Sequence, residues 1–151
     1  MKDRQQKKIL QDGEQVLRSK AGLVTKTMFK SKELLAMIAD MKIALDGEHD
    51  GVAIAAPQIG IPYRIFVVRL DRTIAHEEGA QVVPEYATFI NPKITKHSRR
   101  RVSMDEGCLS VRGTYGRTLR YERATVEAYD ENGIKITRGG GGLMAQIFQH
   151  E

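Results

Sequence analysis

Glu106-Gly107-Cys108-Leu109-Ser110 holds the single cysteine among 151 residues, and the use of that cysteine decides how the rest of the chain is read. A lone Cys makes no intramolecular disulfide, so packing, reactivity and metal ligation are the uses open to it. Taken alone, the pentapeptide favours packing, because a free thiol is usually a small buried hydrophobe. Gly107 lets another backbone come close, however, and Glu106 suits an ordered loop better than an apolar core. The far end of the chain shifts the balance toward chemistry. There, Gln149-His150-Glu151 closes a segment, Leu143 to Phe148, whose pairs 143/147 and 144/148 share the core-facing side of a helix.

Before the cysteine, Lys96 to Arg101 is a basic connection, and Ala87 to Thr95 reads as a strand interrupted at Asn91-Pro92, where the missing proline donor predicts an edge or a bend. Tyr63 to Leu70 is apolar, β-branched and aromatic enough for a strand. A polar loop, Asp71 to Pro84, follows it, and His76 there, like His49 in the turn Asp46 to Gly51, reads as exposed. Gly51-Val52-Ala53-Ile54-Ala55-Ala56-Pro57-Gln58-Ile59-Gly60 is rich in small residues and bounded by glycines, so its backbone can be approached closely. A packing seam between helix and sheet explains most of it. Gln58 fits that seam poorly, since a buried amide needs a partner.

Ser31 reads as an N-cap, and Leu34, Leu35, Ile38, Met41 and Leu45 recur at helical spacing, predicting an amphipathic helix from Ser31 to Leu45. Residues 1–8 read as a disordered basic arm, with Ile9-Leu10 and Val16-Leu17 pinning the chain to the body. Beyond the cysteine, Arg117 to Tyr121 and Ala124 to Tyr129 predict strands. Asp130-Glu131-Asn132-Gly133 predicts a hairpin loop returning through Ile134 to Thr137, and Gly139 to Gly142 a flexible run before the last helix. The fold class is α+β, with mostly antiparallel sheets around a C-terminal helix and an amphipathic helix toward the N-terminus.

At 151 residues, 41% hydrophobic and 6% aromatic, the chain fits one domain with its own core. One cysteine argues for a reducing, cytoplasmic setting. No apolar run is long enough for a signal peptide or a membrane span, so no membrane partner is expected. The net charge is +5, but the basic residues are dispersed apart from Arg99-Arg100-Arg101. They read as a solvated basic face before an RNA-binding patch, and no specific nucleic acid is predicted.

The Ala-Ala-Pro-Gln stretch, the Glu-Gly-Cys-Leu-Ser stretch and the terminal Gln-His-Glu together resemble peptide deformylase. That family of metallohydrolases removes the formyl group from the N-terminal formyl-methionine of nascent proteins. Its three motifs are Gly-x-Gly-Leu-Ala-Ala-x-Gln, Glu-Gly-Cys-Leu-Ser and Gln-His-Glu-x-Asp-His. The resemblance runs in order over nearly the whole chain, from Ile9-Leu10 and Val16-Leu17-Arg18 through the Asn91-Pro92 strand to Glu151. Any one motif is weak, whereas three in order are strong. The resemblance implies a single deformylase-like domain over residues 1–151, its last helix metal-binding, with N-formyl-methionyl nascent peptides as substrates. It also implies one divalent metal ion, Fe(II) in the cell, with Zn, Ni or Co able to take its place.

Carried over residue by residue, the resemblance implies Cys108 and His150 as metal ligands and Glu151 as the carrier of a proton to the leaving amine. It implies the Gln58 side-chain amide and the Leu109 backbone N–H as donors to the formyl oxygen as it becomes an oxyanion. Substrate selection is expected from an apolar methionine pocket, for which Val52, Met104, Leu143 and Ile147 are the candidates, with Gly51, Ala53 and Gly107 beside them.

The sequence also departs from the family pattern. Ala53 stands where a second Gly is usual, Ile54 where Leu is common, and Arg112 where a Pro commonly follows, adding positive charge near the site mouth. The second His of the last motif would fall three residues after Glu151, so the 151 residues hold two of the three protein ligands and the domain reads as C-terminally incomplete. They read as the ordered part of a longer chain in preference to a truncated protein, and by themselves are expected to bind metal weakly and to lack substantial activity. An alternative from another class is a catalytically inactive relative that binds nascent chains or the ribosome surface through the basic face. Salt-sensitive ribosome co-sedimentation without metal would mark it. A generic zinc peptidase is disfavoured, because enzymes with His-Glu-x-x-His seldom recruit an upstream Cys. The cytoplasm is the expected location, an organellar setting staying open.

Overall fold

The computed structural model describes residues 7–108 and 110–151, with the backbone alone at 112–115. The candidate donor Leu109 and most of the basic N-terminal arm lie outside the described residues. Among those described, the elements run α1 (Gln15–Arg18), α2 (Lys32–Asp46), β1 (Ala53–Ala55), β2 (Ile65–Arg69), β3 (Tyr86–His97), β4 (Arg101–Cys108), β5 (Val111–Tyr121), β6 (Arg123–Tyr129), β7 (Lys135–Gly141) and α3 (Gly142–His150). Short 3-10 turns lie at Lys26–Met28, Ala56–Ile59 and Leu70–Thr73. The strands form a five-stranded sheet in the order β1-β2-β3-β6-β7 and a two-stranded ribbon, β4-β5. Neighbouring strands pair antiparallel throughout, as the α+β reading expects.

β2 explains how the layers stack. Successive side chains of a strand point to opposite faces. Ile65 and Val67 join Leu34, Ile38, Met41 and Leu45 of α2 in one core, while Phe66 and Val68 join Phe89, Val126, Ile147 and Phe148 in a second. Both faces of the sheet are thus covered, α2 on one side and α3 on the other. This is why β2 reads as a continuous apolar run and not as an alternation. Phe66 and Phe89 stack at 4.6 Å between centroids, and Phe148 of α3 meets Phe89 edge-on at 5.7 Å. Each such side chain, once buried, contributes roughly 1.5–3 kcal/mol. α2 begins where its cap predicts, the Ser31 hydroxyl accepting from Leu34 N at 3.1 Å.

Several expectations are corrected. β3 lies inside the sheet, so Asn91-Pro92 marks a bend and not an edge. Asn91 takes φ +51°, the register slips between Ile90 and Lys93, and the Asn91 amide clasps the Val24 N–H and C=O at 2.9 Å each. The stretch up to Cys108 is strand rather than loop, paired to β5 from Arg101↔Tyr121 onward with a register shift after Gly107. Gly139 to Gly141 are likewise in β7, opposite Thr125, Ala124 and Arg123. Their small size serves packing: a Cβ on Gly140 would lie 2.7 Å from Met144 Cβ, so glycine there lets α3 settle onto the sheet. Gly142 opens α3 at φ +55°, a left-handed conformation other residues rarely adopt. Leu143, expected in the core, is 38% exposed because it faces a cavity and not the packed interior. No helix among the described residues is long and apolar enough to cross a membrane.

Candidate active site

α3 is seated by a side chain that the sequence reading left without a role. Gln149 Nε2 donates to Tyr121 O and Ala145 O, both at 2.9 Å, and its Oε1 accepts from Tyr121 N at 2.8 Å. Gln146 adds a tie from the same helix, its Nε2 donating to Asp105 O at 2.8 Å. These bonds hold the last turn of α3 against the β4-β5 ribbon, with His150 at the end of β4. Strand alternation puts Glu106 and Cys108 on one half-buried face of β4, toward that histidine.

Glu106 organises the pair. Arg120 donates to its carboxylate from Nε at 2.8 Å and also from Nη2, and His150 Nδ1 donates to the same carboxylate at 2.6 Å. Arg120 foremost, with His150 adding to it, holds the Glu106 carboxyl down to about 2 against the opposing effect of burial. With Nδ1 committed to Glu106, Nε2 is the ring nitrogen left to meet a metal. A hydrogen bond between Cys108 and His150 lowers the thiol from its ordinary value and raises the imidazole to about 9, burial opposing each. Burial pushes the Glu151 carboxyl up to about 7, with the His150 charge pulling the other way.

Gln58 reaches the same point from the small-residue stretch. The 3-10 turn over Ala56–Ile59 buries it, and its Oε1 accepts from Ala55 N at 2.8 Å. That bond aims the NH2 group at the ribbon, where it donates to Cys108 Sγ at 3.6 Å and Ser110 Oγ at 3.1 Å. The partner that a buried amide required is therefore the cysteine strand. The N-terminal segment braces both sides, Leu10 N donating to Gln58 O and Asp12 N to Ser110 O, each at 2.7 Å.

A cavity of about 480 Å³ opens over these groups. Gln58, Cys108, His150 and Glu151 line it together with Gly51, Val52, Ala53, Gly107, Leu143 and Ile147. Met104 does not line it: four residues before Cys108 on an extended strand, it sits roughly 13 Å away along β4. Glu48, Asp50, Asp105 and Gln146 also border the cavity and were not anticipated. The first two follow a helix whose end, but not whose direction, is legible in sequence. His49, His76 and His97 are exposed and stand apart from the cavity.

Among the described residues no group of three or more His, Cys, Asp or Glu side chains is arranged to hold a metal ion. Cys108 and His150 are nonetheless a suitable pair of donors. A thiolate and an imidazole held by a carboxylate at its far nitrogen are the donor set and outer-shell arrangement that divalent transition metals take.

A family model described as polypeptide deformylase matches residues 6–151. A peptide deformylase of Flavobacterium psychrophilum is 37% identical over 145 residues, covering 92% of this chain and 72% of the relative. One from Treponema pallidum is 37% identical over 120 residues, covering 80% of this chain and 66% of the relative. The chain thus spans about two thirds to three quarters of the length of these curated relatives. Among solved structures, the class I type b peptide deformylase of Acinetobacter baumannii, with Met-Ala-Ser bound, superposes with a TM-score of 0.83 at 26% identity. That match covers 98% of this chain and 92% of the other.

Proposed function

The chain belongs to the polypeptide deformylase family, and on that premise we propose that its cavity hydrolyses the formyl amide of N-formyl-methionyl peptides. The observation that carries the reading is the meeting of Gln58, Cys108, His150 and Glu151 at one cavity, from three separate parts of the sequence. Cys108 and His150 would hold a divalent metal ion, which supplies Lewis acidity at the reacting centre when bound. Iron is the cellular choice we favour, with zinc, nickel or cobalt suiting the same donors.

The chain's own groups divide the remaining work. In the overall reaction a C–O bond forms from water to the formyl carbon, the C–N bond breaks, and formate and a free amine leave. Gln58 presents its NH2 group within hydrogen-bond reach of the cysteine sulfur. There it can donate to an oxygen that gains negative charge during addition. Glu151, beside the histidine, would take a proton from water and return it to the departing nitrogen. Val52, Leu143 and Ile147 offer an apolar wall for a methionine side chain, with Gly51, Ala53 and Gly107 admitting the peptide backbone beside it. The Met-Ala-Ser complex of the Acinetobacter relative supports a peptide in such a cavity. A reaction on nascent chains and a free thiol both suit a cytoplasmic setting, near ribosomes.

Formate release from a formyl-Met tripeptide by the iron- or nickel-loaded enzyme tests the proposal. Release is expected, with loss of at least a thousandfold on Cys108→Ala, of the size seen when an electrostatic or nucleophilic element of a site is removed. Absence of release from the natural protein with metal bound would refute it.

A further inference from the structure

One wall of the cavity, at Glu48, Asp50, Gly51 and Val52, belongs to the connection between α2 and β1. Its carbonyls converge on one guanidinium. Arg72, in the 3-10 turn after β2, donates from Nη1 to Glu48 O at 2.5 Å, to Gly51 O at 2.7 Å and, more weakly, to Leu45 O at 3.2 Å. Leu45 lies in the last turn of α2, where a cation is favoured near the negative end of the helix. Three residues earlier, Arg69 grips the same segment from its two ends. Its backbone N–H donates to Val52 O at 2.8 Å, and its Nη1 donates to Asp46 Oδ1 at 2.8 Å. Asp71 holds the rest of that guanidinium, accepting from Nε at 2.9 Å and Nη2 at 2.7 Å. The tetrapeptide Arg69-Leu70-Asp71-Arg72 is therefore a bracket behind the wall, and Arg72 does not itself line the cavity.

We infer that Arg72 is a positioning residue for substrate binding, setting the Glu48–Val52 wall at the height at which the methionine end of a formyl peptide rests. The inference rests on the deformylase reading for its substrate. Its geometry, however, concerns only the wall. Loss of Arg72 should remove the side-chain donor shared by these carbonyls, leaving Glu48 O and Leu45 O only their backbone bonds from Gly51 N at 3.2 Å and Glu48 N at 3.1 Å, and let the connection drift. Cys108, His150, Glu151 and Gln58, held by the ribbon, α3 and the N-terminal segment, should keep their places. A wall that contacts substrate equally before and during reaction affects KM and not kcat. A residue that only caps α2 would lower stability and leave KM alone.

The test compares Arg72→Met and Arg72→Lys in the metal-loaded enzyme with a formyl-Met peptide. Arg72→Met should raise KM about tenfold with kcat within about twofold, the size expected for losing charge-assisted bonds to backbone. Arg72→Lys, which keeps a cation with donors, should recover a large part of that. A readout independent of activity is amide exchange at Gly51, whose N–H donates to Glu48 O at 3.2 Å. It should speed up in Arg72→Met while the amides of β2 stay protected. Unchanged KM and exchange, or a lysine variant no better than methionine, would overturn the inference. If Arg72→Met does not fold, the same two readouts on Arg72→Gln decide. An inactive wild-type enzyme would refute the deformylase reading instead, and the exchange measurement would still judge the bracket.

Discussion

Glu106 is the residue through which the site is assembled, because one carboxylate receives both the Arg120 guanidinium and the His150 Nδ1–H. Glu106→Gln keeps the shape but leaves one oxygen where two donors converge, and its NH2 group would face one of them. Metal affinity in the holoenzyme should fall about 10- to 100-fold, the usual cost of removing an outer-shell partner of a ligating histidine. Chelator competition measures this, and an unchanged dissociation constant would refute the role. The sequence shows the residue but not the role. Glu106 stands out beside the cysteine, whereas Arg120 lies 14 residues away and becomes its partner only through the register of β4 and β5. Gln58 announced itself differently, as an amide out of place in a small-residue seam, and that misfit pointed correctly to a buried partner. Ser110 and the carboxylates of the cavity rim, Glu48, Asp50 and Asp105, gave no such signal.

At the scale of elements, the position of α3 decides whether His150 reaches Cys108, and it depends on glycine in β7. Gly140→Ala would place a methyl 2.7 Å from Met144 Cβ, near the helix backbone, where no rotamer change relieves it. The helix must rise from the sheet. The variant should lose about 1–3 kcal/mol of stability, as overpacked sites do, and should also release metal more readily because the histidine moves with its helix. Urea unfolding and metal content check the two effects. Retention of both would show that the close approach carries no strain. Here the sequence spoke clearly about period and faintly about neighbours. Leu34, Ile38, Met41 and Leu45 recur on one face because a helix pressed against a sheet must bury a stripe, so α2 was legible almost to its ends. The glycine run looked flexible because composition reveals conformational freedom but not what packs overhead. Likewise Leu143 follows the apolar period of α3, yet it faces the cavity and not the core.

At the scale of the whole molecule, charge burial sets the response to acid. The protein carries a net charge of +5, yet one ion pair lies almost wholly inside it, the Arg69 side chain being 8% exposed and that of Asp71 5%. Arg69, donating to it, holds the Asp71 carboxyl well below the usual carboxylate range. Burial opposes this, and a 3.0 Å bond from Glu85 N adds to it. In the unfolded chain the same group titrates near 3.9. Above that pH both states are ionised and the stabilisation is fully present. Below it the unfolded chain takes up a proton that the folded protein refuses, so stability falls by up to about 1.4 kcal/mol per pH unit until the folded group also protonates. Tyr86, pushed up to about 12 chiefly by burial and then by its bond to Asp46, keeps its proton throughout this range and adds no slope. Glu106, also lowered, adds acid sensitivity of the same sign, but equally in wild type and in a variant at position 71. Asp71→Asn should therefore cost about 3–5 kcal/mol near neutral pH, the penalty of leaving a buried guanidinium half-partnered. At pH 3 the difference from wild type should narrow by about 1 kcal/mol, because only the wild type loses this pair's contribution as the pH falls. Urea unfolding of both proteins at pH 7 and at pH 3 decides it: a gap that stays constant or widens in acid would mean that Asp71 is not held ionised by Arg69.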